Sequence, residues 1–567
     1  MSSDAAGFSS VGQLCLRLRP ILGAKVDRVY QAYLAEDRVG RSQIEHYLEL
    51  LMAKYLPQQL GQPEAVLLPP TVEQAQGQYK IGQVRYGGRD VGDFGLREEE
   101  WIQHMAILGR SGGGKTNTAF NILSELRQKA RPFLVLDWKR NYRDLLTLPG
   151  FKDLEVYTIG RDVAPFTFNP LIPPHGTDPK TWLKKLNQVV AHAYCLGNGV
   201  LFLLQQAVDA VYAEAGVYDG TVMKWPTFKD VLAKARNMDS RGREAGWLSS
   251  TLRALSSLCF GDMDRILNAE SNKSLDHILD TCVVLELDAL TQSDKVFFAS
   301  SVLLWMHHKR MTEARRETLK HITLIEEAHH LLSDERRSLV GGQSVMEIIF
   351  REIREFGEAL ILLDQHPSKI SLPALGNCYT TICLNLKHKT DINAMGQCLL
   401  LDKERDILGT LDVGQAVVKL QGRIARPFEI RIPHFPIDKG GVTDDQVRVR
   451  MTEILSSPQP QAPAATPPSQ ANAPPTTGSH AGITIEPEMA FLADVRDNPE
   501  SGIAARYKRL GLSVRQGQKL KTQLLQKGLI EEELLTNRTG RLTAIQLTQR
   551  GYKLQFNHRK SDARNGC

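Results

Sequence analysis

The sequence predicts an α/β fold: a mainly parallel sheet covered by helices, with a helical insertion. A small helical region precedes it and a compact helix-and-hairpin domain follows. Three observations predict this. Runs such as PFLVLD, CVVLELD and ALILLDQ are almost purely Val, Ile and Leu, without the polar alternation of a half-exposed strand. Stretches with apolar residues three and four apart separate them, as helices require. Near the end, SSPQPQAPAATPPSQANAPPTTGS is too poor in large apolar residues to offset its own ordering entropy, so it divides the chain.

Taken in order, residues 1–95 read as a mainly helical region, with apolar spacing in VDRVYQAYL and IEHYLELLMAKYL. A short hairpin around Gly87 and Gly88 ends it. Residues 96–440 form the α/β core, with strands at HMAILG, PFLVLD, CVVLELD, ITLIEE and ALILLDQ and a helical insertion at about 179–279. Residues 441–482 read as a disordered linker, 483–556 as an end domain and 557–567 as a flexible tail.

At 567 residues, with 42% hydrophobic and 24% charged residues, the chain can bury several cores. A net charge of +6 does not by itself mark a nucleic-acid binder; its distribution matters more. The eight cysteines form no CxxC pair and no His/Cys cluster of zinc-finger spacing, which fits scattered thiols in a reducing cytosol. The start MSSDAAGFSSVGQL lacks the basic and apolar parts of a signal peptide. No run approaches the roughly 18 apolar residues of a membrane helix. A cytoplasmic protein without membrane contact is expected.

The chemistry begins at Gly109-Arg110-Ser111-Gly112-Gly113-Gly114-Lys115-Thr116, which fits G-x-x-x-x-G-K-[ST]. Glycines let the backbone turn so that N–H groups point at phosphates, aided by the positive end of the following helix. Lys115 should reach the β- and γ-phosphates, the Thr116 hydroxyl should bind Mg²⁺, and Asn117 follows at the helix start. An apolar strand enters the loop and a helix leaves it. The bland reading is a chance glycine-rich turn, which that context disfavours.

A phosphate-binding loop (P-loop) needs a second acidic site, and HITLIEEAHHLL supplies one. Glu326 at the strand end would hold Mg²⁺ through water, and Glu327 would act as base toward the attacking water. Gln365 ends ALILLDQ, where a polar side chain can contact the γ-phosphate or the water; a solvated strand end is the alternative. Arg351 and Arg354 in FREIREFG stand three apart on one helix face. In ring-shaped motors such arginines reach a neighbour's phosphates; salt bridges to Glu352, Glu355 or Glu358 are the alternative.

The end domain reads helix, helix, helix, hairpin, the order of a winged helix. From Ser501 to Ile530 it carries seven cations and no carboxylate. Arg506, Lys508 and Arg509 lie in its second helix. Arg515, Gln516, Lys519 and Gln523 recur at helical spacing in the third, and Arg538 and Arg541 sit at the wing tip. All nine are candidate DNA contacts; a merely solvated basic face is the alternative.

Taken together, these pieces resemble the HerA-like branch of the HerA/FtsK/VirB-type P-loop ATPases over about Gln103 to Pro433. The marks are His104 before the P-loop strand, DWKRNY from Asp137, FNPL from Phe168, VVLELDAL from Val283, IEEAHHL, REIREFGEALILLDQHPSKI and VGQAVVKLQGRIARPFEIRIP. The acidic pair is Glu-Glu where Asp-Glu is commoner, and His366 follows the sensor Gln. The resemblance implies a RecA-like core in a homohexameric ring that binds ATP and Mg²⁺, hydrolyses ATP and pumps a polymer, usually double-stranded DNA. It leaves room for a nuclease or other protein partner. Two rivals stay open: a motor for protein substrates, and an ATP-gated DNA-binding scaffold that switches a partner.

Overall fold

The computed structural model describes residues 10–57, 67–314, 316–333, 344–402, 404–456, 487–498, 503–510, 512, 514–537 and 540–548. It divides into a large unit, residues 1–460, and a small one, residues 461–567.

The large unit is built on strands β1 (Tyr79–Tyr86), β2 (Arg89–Leu96), β3 (Met105–Leu108), β4 (Phe133–Asp137), β5 (Glu155–Thr158), β6 (Cys282–Glu286), β7 (His321–Glu326), β8 (Glu358–Asp364), β9 (Thr380–Leu384), β10 (Gln415–Leu420) and β11 (Phe428–Arg431). They form one 11-stranded sheet in the order β2-β1-β11-β10-β9-β3-β8-β7-β4-β6-β5. From β9 to β5 every neighbouring pair is parallel, and every residue of β3 to β9 is buried. That two-sided burial is why the sequence there lacks alternation. β9, β10, β11, β1 and β2 pair antiparallel at the other side.

The hairpin expected at Gly87 and Gly88 is present, with φ of 57° and 76°, a turn that side chains with a Cβ resist. It does not belong to the amino-terminal region as the sequence suggested. β1 pairs with β11, so the hairpin extends the core sheet. Strands β5, β9, β10 and β11 are additions to the strands that the sequence predicts.

Ahead of the hairpin, helices Ser10–Leu22, Ala24–Ala35 and Arg38–Tyr55 pack through Val11, Leu18, Val26, Leu48 and Met52. Asp37 caps the third helix, accepting from the N–H groups of Val39 and Gly40. The insertion is helical as expected, with helices Pro179–Tyr194, Asn198–Glu214, Phe228–Arg236 and Arg243–Leu258. Helix Gln292–Thr312 is buried nearly all round, including His307 and His308.

The expectation of linker from residue 441 needs correction. Asp444–Ser456 is a helix that buries Val447 and Met451 against the core. Its first residue, Asp444, accepts from Arg140 Nη2 at 2.8 Å, Arg143 Nη1 at 2.7 Å and Arg161 Nη1 at 3.2 Å. Met451 Sδ meets the β5 amide of Val156 at 3.2 Å, so the helix covers the sheet's β5 edge. Residues 457–486, which hold the Pro-rich stretch, lie outside the described residues.

The small unit has helices Pro487–Asp497, Ile503–Arg509 and Val514–Gln526, then strands β12 (Ile530–Asn537) and β13 (Gly540–Leu547) paired antiparallel. Phe491, Leu492, Val495, Tyr507, Leu524 and Ile545 form its core.

His104 enters β3 with φ 62° and 1% exposure. Its Nδ1 accepts from Leu360 N–H at 3.0 Å and its Nε2 donates to Phe350 O at 2.7 Å, so the ring is neutral and ties β3 to the start of β8. Burial pulls its pKa down from 6.5 to about 4; burial also takes His307 to about 3 and His308 to about 4. The unfolded chain binds these protons first as pH falls. Stability from neutral His104 should therefore be complete above about pH 6.5 and fade toward pH 4, a loss of about 3 kcal/mol at the acid end. Denaturant melts across pH 4–7.5 should show this slope. A His104→Asn variant, which tolerates the left-handed backbone, should make it shallower, leaving the part that His307 and His308 contribute; an unchanged slope would remove His104 from the account.

Candidate functional site

Parallel strands bring their carboxyl ends to one side of the sheet, where crevices form and ligands bind. β8 lies between β3 and β7, so the P-loop after β3, Gln365 after β8 and Glu326 and Glu327 at the end of β7 face one cleft. The cleft holds about 490 Å³ and is lined by Ser111, Gly112, Gly114, Lys115, Thr116, Asn117, Lys139, Asn141, Glu326, Glu327 and Gln365 on its polar side. Its apolar side is Phe120, Val413, Ile432, Phe435 and Ile437.

The P-loop divides its labour. Gly109 N–H donates to Asp364 O at 3.1 Å, Arg110 N–H to Asn385 O at 2.7 Å and Gly113 N–H to Arg110 O at 3.0 Å. A Cβ on Gly109 would lie 2.8 Å from Leu384 Cβ, so that glycine lets the loop sit against β9. These groups fix the loop and are not offered to a ligand. Among the described residues, the N–H groups of Ser111, Gly112, Gly114, Lys115 and Thr116 have no protein acceptor. Gly114, at φ 107°, precedes the helix Lys115–Gln128, whose positive end favours an anion. Lys115 Nζ donates to Gly109 O at 2.8 Å and Arg110 O at 3.1 Å, and burial lowers its pKa. Unaccepted donors, a cation and a helix start fit a polyphosphate, and the Thr116 hydroxyl with the Glu326 carboxylate fits a hard, oxygen-loving cation.

Two expected contacts have other duties. Arg110 Nε donates to Asn385 Oδ1 at 2.8 Å. Asn117 binds Pro433 O at 2.9 Å through Nδ2, and its Oδ1 accepts from Phe435 N–H at 2.8 Å. Asn117 thereby holds the segment that forms the apolar wall.

The acidic pair is asymmetric. Glu326 is 6% exposed and accepts from Asn141 Nδ2 at 3.2 Å and Trp138 N–H at 3.3 Å. Burial raises its pKa, and Asp137 at the end of β4, wholly buried beside it, is pushed up by burial and by Glu326. Glu327 leaves the strand in the left-handed region at φ 48°, which turns its side chain into the cleft. There Gln365 Nε2 donates to both its oxygens, at 3.0 and 3.2 Å, and Lys139 Nζ ion-pairs with Oε1. Glu327, His329 and Asp364 bring ligand-type atoms within 4.8 Å of one another. Asp364 already accepts from His329 N–H at 2.7 Å, His329 Nδ1 at 2.9 Å and His366 N–H at 2.8 Å, which explains the cluster without a metal. Burial alone would raise the Asp364 pKa; those bonds hold it below the usual carboxylate value.

Arg351 and Arg354 are not brought to this cleft. Both precede β8, about seven residues and roughly 20 Å of strand from Gln365. Nor do they share one α-helix: it ends at Glu352, and Arg354 lies in the 3₁₀ turn Ile353–Phe356. Arg351 Nη2 is 3.7 Å from Glu352 Oε1. Glu358 is not their partner; it is buried with His321 Nδ1 at 2.8 Å and Thr323 Oγ1 at 2.7 Å.

In the small unit one candidate is corrected. Arg506 is 0% exposed, donating to Asp494 Oδ2 at 2.6 Å and Asn498 O at 2.9 Å, so it ties two helices together and offers no surface to DNA. Arg509 also binds Asp494, at 2.9 Å. The carboxylate-free stretch hid this because its counter-ion stands in the preceding helix. Gln523 is exposed on helix Val514–Gln526, which also carries Arg515, Gln516 and Lys519; Lys508 is in the preceding helix and Arg541 in β13. Arg538 lies outside the described residues.

A P-loop and a strand-end acidic pair, converging across one intervening strand of a parallel sheet, define a P-loop NTPase core. Within that class the chain is similar to HerA: residues 79–181 match the family described as helicase HerA, central domain. A probable helicase of Methanocaldococcus jannaschii is 22% identical over 346 residues, 60% of this chain and 64% of that protein. The chain's match thus spans less than two thirds of that relative. The DNA double-strand break repair helicase HerA of Saccharolobus solfataricus is 22% identical over 374 residues, 62% of this chain and 69% of its own length. Among solved structures, VirB4 of Thermoanaerobacter pseudethanolicus aligns at TM-score 0.49 and 16% identity, covering 64% of this chain and 97% of that one. Among the described residues no helix is long and apolar enough to cross a membrane.

Proposed function

We propose that the chain is an ATP-hydrolysing motor that moves double-stranded DNA, working as a homohexamer with the small unit as a tethered winged-helix anchor. The observation that carries it is the convergence of Lys115, Thr116, Glu326, Glu327 and Gln365 on one cleft. Lys115 and the unaccepted N–H groups bind the phosphates. Thr116 directly and Glu326 through water would hold Mg²⁺, which when bound would supply neutralisation of charge on the phosphate oxygens. Gln365 orients the attacking water and Glu327 takes its proton; the water oxygen bonds to the γ-phosphorus as the bond to the β–γ bridging oxygen breaks, giving ADP and phosphate. Arg351 and Arg354, exposed at the far ends of the strands, can meet phosphate only in a neighbouring subunit's cleft. DNA as the polymer is supported by the helicase relatives and by the cations of the small unit.

Steady-state ATP hydrolysis with and without duplex DNA tests this. Strong stimulation by DNA is expected. Activity indifferent to DNA would transfer the reading to a protein-substrate motor or a partner-controlled switch. Truncation after residue 482 should weaken DNA binding and flatten its salt dependence, each lost phosphate contact removing about 0.9 from the log–log slope. An unchanged slope would strip the small unit of its anchor role.

A further inference from the structure

We infer that Lys139 is a second phosphate-recognising lysine, for which Glu327 and the terminal phosphate of a nucleoside triphosphate compete. The inference rests on the reading of the cleft as a nucleotide site. It would make release of the base conditional on the γ-phosphate, a role the P-loop motif does not supply.

Lys139 follows β4 on a short irregular segment and lines the same cleft as Lys115. Its backbone is fixed: Asp137 Oδ1 accepts Lys139 N–H at 2.9 Å and Asp137 Oδ2 accepts Tyr142 N–H at 3.1 Å. Its side chain is 55% exposed, so the four-carbon stem can swing while the loop stays in place. Its ammonium ion-pairs with Glu327, whose own side chain is 10% exposed. Gln365 donates to both Glu327 oxygens, so with Lys139 the carboxylate is occupied by donors on both sides. Both Lys139 and Gln365 are on Oε1, so while the ion pair lasts that oxygen has both its lone pairs engaged and cannot also accept from the attacking water. Burial would lower the Lys139 pKa, but the Glu327 hydrogen bond and charge outweigh it, so the ammonium is retained.

A γ-phosphate is the stronger attractor. It carries more charge than one carboxylate and more acceptor oxygens, and a lysine serves it as a point charge. Lys115 and the loop amides fix where the phosphates sit, and the charge of Lys139 is near enough to add to the lowering of the Lys115 pKa across the same cleft. Transfer of Lys139 to phosphate frees Glu327 while Gln365 continues to orient it. A diphosphate lacks the group that would draw Lys139 away.

The test is equilibrium binding by the full chain of Mg²⁺ with ADP or with a non-hydrolysable ATP analogue, for wild type, Lys139→Ala, Glu327→Gln and the double variant. Lys139→Ala should weaken the triphosphate analogue about tenfold or more and leave ADP within about twofold. Glu327→Gln should tighten the analogue by removing the competitor, and that gain should vanish without Lys139. Lys139→Arg, which keeps the charge, should restore most of the preference for triphosphate and serves as the folding control. Equal loss of both nucleotides in Lys139→Ala, or the same Glu327→Gln gain with and without Lys139, would overturn the inference and leave the nucleotide site standing. Failure of the wild type to bind either nucleotide would overturn both.

Discussion

Glu327→Gln should lower ATP turnover by about 10²–10⁴-fold, the usual range for loss of a general base, while nucleotide binds no more weakly than in the wild type. The substitution removes the basic oxygen and its ion pair with Lys139 while keeping the side chain's size. A glutamine oxygen can still accept from Gln365, and the left-handed backbone that aims position 327 into the cleft is unaffected. Steady-state hydrolysis beside analogue binding reads both quantities. Turnover within about threefold of wild type would mean that another group takes the proton; His329, whose Nδ1 is 3.7 Å from Glu327, would then be examined first.

The second large effect is on stability. Glu286 at the end of β6 is 0% exposed and accepts from Arg143 Nε at 2.7 Å and Nη2 at 2.5 Å, with Arg161 Nη2 at 2.9 Å. Arg143 is itself 3% exposed. Glu286→Ala should therefore cost about 3–5 kcal/mol, because it strands a buried guanidinium whose remaining carboxylate partner is Asp444. The same cluster anchors helix Asp444–Ser456, so the loss should spread to the β5 edge. Thermal unfolding of the large unit measures it. An Arg143→Met, Glu286→Leu double variant should recover much of the loss, since an apolar pair leaves no unpaired charge. A double variant as unstable as the single one would place the effect in packing.

What was legible in the sequence was local. The P-loop, Glu326, Glu327 and Gln365 each declare themselves within a few residues, because strand, turn and chemistry are contiguous. The five strands read from their apolar runs are all in the sheet. What was missed depends on distant partners. Lys139 stood inside a quoted motif, DWKRNY, yet its chemistry requires Glu327, 188 positions away. Asn385 supports the P-loop from beyond a strand, TTICL, whose Thr and Cys residues dilute the apolar run that marks the others. Arg506 reads as one more exposed cation because its partner Asp494 stands before the carboxylate-free stretch from Ser501 to Ile530. Helix Asp444–Ser456 was absorbed into the neighbouring Pro-rich stretch, though Asp444 has three arginine partners drawn from residues 140–161.

The pairing of β1 with β11 has a consequence for biosynthesis. Gln83 stands opposite Arg431, 348 positions later. At about 5–20 residues per second, a ribosome needs roughly 20–70 s between making one and making the other. Through that interval the hairpin can fold on itself, but β1 keeps an open edge on the side where β11 will dock. Nascent chains halted before Phe428 should therefore carry an unprotected strand edge and be prone to self-association, whereas chains released after Arg431 can close it.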